Sequence, residues 1–182
     1  EASTILIDAL KRLEYRGYDS AGIAVWSQGS IEIARKKGKV EELRKEIAGD
    51  SRFKGSLGLA HTRWATHGVP SERNAHPHRA DEVVVVHNGI IENYMELKER
   101  LRKEGQSFLS DTDTEVIPHL IISFMRKGLS FTDAIRQALS ELQGSFAVGI
   151  INEKDQIMVA AKKESLLIVG IGDGVYFIAS DA

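Results

Sequence analysis

Between positions 3 and 14 the apolar residues Ile5, Leu6, Ala9, Leu10 and Leu13 share one stripe at helical spacing, which predicts an amphipathic helix. Gly17, just past that stripe, suits a left-handed residue closing it. Residues 21–27 and 30–35 read as strands around a Gln28-Gly29 turn, and Val40–Ile47 as a short helix. Residues 56–62 and 83–87 carry apolar runs without clean alternation, the mark of strands covered on both faces. The polar stretch 63–82, with Pro70 and Pro77, is a long connection, and loops of that length are usually functional. Helices are expected at 92–103, from Thr112 onward and at 132–142, followed by strands at 145–152, 156–161, 166–170 and 175–179. The grouping of helix, strands, helices, strands favours an α+β or layered architecture over repeated βαβ units, and no internal repeat is visible.

Composition narrows the function classes. Lys and Arg total 24 against 26 Asp and Glu, with a pI near 6.3, so nucleic acid is not an expected partner. The longest apolar runs, at 83–86 and 166–171, fall far short of the roughly 18 residues that cross a bilayer, so no membrane partner is expected. The start Glu1-Ala2-Ser3-Thr4 has no secretory pattern, which makes a cytoplasmic location the expectation. The chain contains no cysteine, excluding disulfides and thiolate metal sites.

Four segments can carry chemistry, and each also has a plain structural reading. In Arg63-Trp64-Ala65-Thr66-His67-Gly68, an arginine at a strand end can grip a carboxylate with two parallel hydrogen bonds, or can simply be solvated. In His87-Asn88-Gly89-Ile90, Asn-Gly is a strong hairpin-turn signal, while the Asn88 amide and the Gly89 N–H could also converge on one oxyanion. In Thr112-Asp113-Thr114-Glu115, Thr112 and Glu115 fit a capping box, and Asp113 suits a helix start or an ammonium partner. Tyr15-Arg16-Gly17-Tyr18-Asp19-Ser20 reads as a helix cap followed by a turn.

Two further clusters invite over-reading. His61, His67, His76, His78 and His87 crowd one region, but their spacing matches no familiar ligand set, so no metal and no cofactor is expected. Gly170-Ile171-Gly172-Asp173-Gly174 lacks phosphate-loop spacing and reads as the tight turn of a hairpin.

Taken in order, YRGYDSAG (15–22), HTRWATHG (61–68), NAHPH (74–78), VHNGIIEN (86–93) and DTDTEV (111–116) resemble the glutaminase (class II glutamine amidotransferase) domain of the glutamine–fructose-6-phosphate aminotransferase family, over essentially the whole chain. The resemblance implies a four-layer αββα sandwich of the N-terminal-nucleophile hydrolase type, with glutamine as substrate. It implies that Arg63 takes the α-carboxylate of glutamine, with Thr66 and His67 beside it, and that Asp113 holds the α-ammonium. Asn88 and Gly89 would form the oxyanion hole, Trp64 would control passage of ammonia, and Arg16 and His76 would support the site. Sugar-isomerase domains of the same full-length polypeptide would receive the ammonia to make glucosamine 6-phosphate, in a homodimer.

The family's nucleophile is an N-terminal cysteine acting with its own α-amine, and this sequence has no cysteine. Against the family, Glu1 aligns just before the first helix, which leaves out roughly ten residues, about one strand and its turn. The chain as given is therefore expected to be inactive by itself, and it likewise stops before the isomerase domains. Glutamine hydrolysis is the leading expectation. A module that binds glutamine or glutamate without chemistry, and a purely structural role in subunit contact, are the rivals.

Overall fold

In a computed structural model of the chain, which describes residues 1–181, the first helix α1 (Ala2–Leu13) runs into a 3₁₀ turn at Glu14–Arg16. The hairpin β1 (Ser20–Ser27) and β2 (Ser30–Lys37) follows, then α2 (Val40–Ile47) and β3 (Leu57–Arg63). A short strand β4 (His78–Ala80) precedes β5 (Val83–Gly89), and three helices come next: α3 (Tyr94–Lys103), α4 (Val116–Arg126) and α5 (Phe131–Glu141). The chain ends with β6 (Phe146–Asn152), β7 (Ile157–Lys163) and the hairpin of β8 (Ile168–Gly172) and β9 (Val175–Ala179). All strand pairs in the three sheets are antiparallel: one sheet has the order β2-β1-β3, a second β4-β5-β6-β7, and β8-β9 forms a third.

The alternation of side chains along a strand explains why the two larger sheets stack. On β1, Ala21, Ile23 and Val25 turn outward and pack with Ile7 and Leu10 of α1 and with Val40, Leu43 and Ile47 of α2. Ala24, between them, turns inward with Ile31 and Leu59 and meets Val84 and Ile151 of the second sheet. On β5, Val83 and Val85 face the other way, against Ile117, Leu120 and Ile121 of α4 and Ala134 and Ile135 of α5. Four layers result: helices, sheet, sheet, helices. Each fully buried Ile or Leu in them contributes about 1.5–3 kcal/mol relative to an exposed one.

Several sequence expectations need correction. Gly17 has φ −172°, extended rather than left-handed. Glycine is needed there because a Cβ would lie 2.8 Å from the backbone carbonyl carbon of Arg63. The helix expected from Thr112 begins only at Val116, and residues 112–115 form the bend before it. The capping box does not form: Glu115 accepts hydrogen bonds from the N–H groups of Leu109 and Ser110, at 2.7 Å each, and from the Ser110 hydroxyl. Asn88-Gly89 is no turn, since both residues complete β5. Gly89 adopts φ 126° where the strand passes so close to Ser145 that a Cβ would sit 2.1 Å from its carbonyl oxygen. The hairpin expected at 170–174 does form, with Gly170 and Gly172 inside β8 and the turn narrowed to residues 173–174. The connection 63–82 contains β4, a strand too short for its three residues to show a period.

Candidate active site

Strands β3 and β5 belong to different sheets, and their C-terminal ends open on one cavity of about 350 Å³, closed on another side by α1 and β9. Arg16, Arg63, Trp64, Thr66, His76, Asn88, Gly89 and Asp113 all line it; His67 does not.

Arg63 ends β3 and is 95% buried, at 5% exposure. Its Nη2 donates to the carbonyls of His67 and Gly68, the latter at 2.9 Å, so the loop that follows the strand is folded around its own arginine. Nη1 lies 3.9 Å from Asp19 Oδ1 and has no hydrogen-bond partner among the described residues. The two-pronged grip expected from the sequence is thus half spent on the loop, and the second nitrogen stays buried in a residue that lines the cavity. Burial pulls the Arg63 pKa down, and the carboxylates of Asp19 and Asp113 oppose it. Guanidinium stays charged through such a contest.

Asp113 is buried in the bend before α4. Its Oδ2 accepts the N–H of Ile91, just past β5, at 2.8 Å. That bond, and not a cap on its own helix, is what fixes it. Oδ1 lies 4.0 Å from His67 Nδ1, beyond hydrogen-bond reach, and the His67 ring packs edge-on against Tyr94. Trp64 is 61% exposed at the rim, edge-on to Tyr18, and Arg16 reaches the carbonyl of Ser180 at 3.1 Å and the carboxylate of Asp181 at 3.4 Å.

Behind these groups lies a buried polar layer. His61 Nε2 bonds Asn88 Oδ1 at 2.8 Å, His61 Nδ1 bonds His76 Nδ1 at 2.9 Å, and Thr114 Oγ1 bonds both His76 Nε2 and His87 Nδ1 at 2.9 Å. Burial holds these rings neutral at neutral pH: His61 falls to about 4, His87 to about 4 with Asp113 opposing, and His76 well below its usual value. A second branch runs from the Glu115 carboxylate through the Ser110 and Thr112 hydroxyls to His78 Nε2, and His78 is pushed by burial to about 3. Four of the five crowded histidines, His61, His76, His78 and His87, are thus hydrogen-bonded, whereas His67 Nδ1 has no hydrogen-bond partner among the described residues. Among those residues no group of three or more His, Cys, Asp or Glu is placed to hold a metal ion.

Sequence reasoning named the cavity-lining residues but missed those that hold them. Asp19 accepts the N–H of Ala65 and so pins the loop after Arg63. Asn74 receives the Asp111 N–H at 3.0 Å and donates to the Val69 carbonyl at 3.0 Å, tying that same loop to the bend before α4. Both fall inside the motif segments 15–22 and 74–78, but only the fold shows which groups they hold.

A family model described as a glutamine amidotransferase domain matches residues 61–181. Glutamine–fructose-6-phosphate aminotransferase [isomerizing] of Methanothermobacter thermautotrophicus is 49% identical over 99% of this chain, which spans 31% of that protein. The enzyme of the same name from Acinetobacter baylyi is 52% identical over 97% of the chain and 29% of its own length. Among solved structures, the glutamine phosphoribosylpyrophosphate amidotransferase of B. subtilis, complexed with ADP and GMP, superposes with a TM-score of 0.84 at 30% identity, covering 99% of this chain and 39% of that one. The layered α+β sandwich is that of the N-terminal-nucleophile amidotransferases, and the chain belongs to the glutamine amidotransferase domain family.

Proposed function

We propose that this domain binds glutamine and hydrolyses its side-chain amide to glutamate and ammonia, and that in the longer polypeptide the ammonia aminates fructose 6-phosphate. One observation carries the reading: Arg63, whose Nη1 has no hydrogen-bond partner among the described residues, and Asp113 line the same cavity as Asn88 and Gly89. A free amino acid presents a carboxylate and an ammonium on one carbon, and Arg63 Nη1 with Asp113 Oδ1 would receive both. The side-chain amide then extends toward Asn88 Nδ2 and the Gly89 N–H. These two donors would stabilise the negative oxygen that forms as a thiolate adds to the amide carbon; such a donor typically supplies about 10²–10³ in rate. Ammonia leaves, and water hydrolyses the resulting thioester to glutamate.

The thiol must come from outside these residues, which include no cysteine. The free side of β3, whose residues 58–63 line the cavity, is where a nucleophile-bearing strand preceding α1 would fit. Since the chain spans about 30% of the curated relatives it matches, the sugar-isomerase chemistry is proposed to reside in the remainder of the polypeptide. A chain extended to begin Cys-Gly is expected to release glutamate and ammonia from glutamine and to be alkylated at that cysteine by an electrophilic glutamine analogue. Titration of the present chain separates the rival reading: a binding module takes up glutamine without turnover in both forms. An extended chain that neither binds nor is labelled would defeat the proposal.

A further inference from the structure

Asn88 presents a chemical ambiguity that its neighbours resolve. Its carboxamide can offer the cavity either an NH₂ donor or a carbonyl acceptor, and only the donor helps a developing oxyanion. As placed, Oδ1 faces His61 Nε2 at 2.8 Å, and Nδ2 has no protein partner among the described residues.

The consequences propagate one proton at a time. A carbonyl oxygen only accepts, so His61 Nε2 carries the hydrogen. A neutral His61 then has a bare Nδ1, which accepts from His76 Nδ1–H across 2.9 Å. The bare Nε2 of His76 takes the Thr114 hydroxyl hydrogen, also across 2.9 Å. Having given its only hydrogen, the Thr114 oxygen accepts from His87 Nδ1–H at 2.9 Å. The sequence ends at His87 Nε2, a buried lone pair without a protein partner. Turning the Asn88 amide over reverses every link and places a hydrogen on His87 Nε2 instead. A neutral network has these two polarities and no stable mixture, because any single reversed link leaves two hydrogens or two lone pairs facing each other.

We propose that His61 is a positioning residue for Asn88, and that the relay His61–His76–Thr114–His87 locks the Asn88 amide with its NH₂ toward the cavity. The inference rests on the proposed glutaminase reading for its purpose, though the relay itself exists or fails independently of turnover. The low pKa values that burial imposes on His61 and His87, each about 4, keep the rings neutral and the directionality intact near neutral pH.

Long-range ¹H–¹⁵N spectra of the histidine-labelled chain test it directly. The expected pattern is hydrogen on Nε2 of His61, on Nδ1 of His76 and on Nδ1 of His87. The reverse pattern, or averaged tautomers at His61, overturns the proposal. Thr114→Val is expected to release His87 into a tautomer mixture and Thr114→Ser to restore the single form; no difference between the two variants also overturns it. In the Cys-initiated enzyme, His61→Leu is expected to lower kcat roughly 10- to 100-fold with KM for glutamine unchanged. His61→Gln, which retains an N–H donor, should recover most of that loss. An unchanged kcat, or an equal loss in KM, removes the positioning role. Complete absence of turnover in the unsubstituted Cys-initiated enzyme would instead remove the glutaminase reading and the relay's catalytic purpose, while the tautomers still decide whether the relay exists.

Discussion

At the scale of single residues, the site pairs one cation and one anion, each half-committed to the protein. Arg63 spends Nη2 on the carbonyls of His67 and Gly68, and Asp113 spends Oδ2 on the N–H of Ile91. The structural bonds fix where the remaining atoms lie, which leaves Nη1 buried without a partner among the described residues and Oδ1 4.0 Å from His67 Nδ1. Asp113→Asn separates the two duties. The asparagine oxygen still accepts from Ile91, so the bend before α4 persists and the melting temperature should move by only a few degrees. The charge proposed to face an α-ammonium is lost, and a charge-assisted bond is worth about 1.5–3 kcal/mol, so affinity for glutamate should fall roughly 10- to 150-fold. Calorimetric titration beside thermal melting checks both halves. A large drop in melting temperature with affinity intact would show that Asp113 serves the fold alone.

At the scale of elements, the site depends on how closely the turn after α1 approaches the end of β3. A Cβ on Gly17 would meet the Arg63 carbonyl carbon at 2.8 Å and the Trp64 nitrogen at 3.0 Å, backbone atoms that cannot step aside as a side chain would. Gly17→Ala is therefore expected to push the Arg63 loop away from Asp19, which holds the Ala65 N–H. It should cost about 1–3 kcal/mol, as overpacking does, and weaken glutamate binding although residue 17 itself does not line the cavity. Urea unfolding and titration of the variant measure this; unaltered binding would mean the loop does not depend on that approach. The same residue shows where sequence reading reaches its limit. The helix α1, the β1-β2 hairpin and the buried run of β5 are legible because hydrophobic period is a local property. Even so, α1 buries Ser3, Ile7 and Leu10 where the stripe predicts Ile5 and Ala9, and β3 buries only Leu59 and Arg63. Gly17 does close a helical turn, its N–H bonding the Glu14 carbonyl, but it is extended and not left-handed, and Asn88-Gly89 fits a turn by every local rule. Both are decided by a contact with a distant segment, Arg63 in one case and Ser145 in the other. Asp113 has the same character, since its partner Ile91 belongs to the end of another element. The ordered motifs placed these residues at a site because they record the fold's outcome rather than its local causes.

At the scale of the whole molecule, stacking two sheets face to face seals imidazoles between them, and that has a consequence for stability. His61, His78 and His87 are pushed by burial to about 4, 3 and 4, against a usual value near 6.5, and His76 shifts in the same direction. On unfolding each returns to its ordinary value, so between pH 6.5 and 4 the unfolded chain binds more protons than the folded one. Stability must then rise with pH through that window and fall as the medium is acidified, by an amount on the order of a few kcal/mol for each ring. Glu115 acts with the same sign lower down: burial alone would raise its pKa, but His119, the N–H groups of Leu109 and Ser110 and the Ser110 hydroxyl outweigh it and bring it to about 2. Its contribution is complete above pH 4.5 and is lost as pH drops toward 2. The two windows join, so acid should erode the fold continuously from pH 6.5 downward, with little change above pH 7. Urea midpoints measured at pH 7.5, 6, 5 and 4 should decline in order, and unfolding at pH 5.5 should take up roughly three to four protons, the number expected if the four buried rings all charge. A midpoint that holds level from pH 7 to pH 5 would mean that these histidines take up protons as readily in the folded state as in the unfolded one. The one-proton-per-link directionality around Asn88 would then be lost below about pH 6.5, because a doubly protonated ring has no lone pair to accept with.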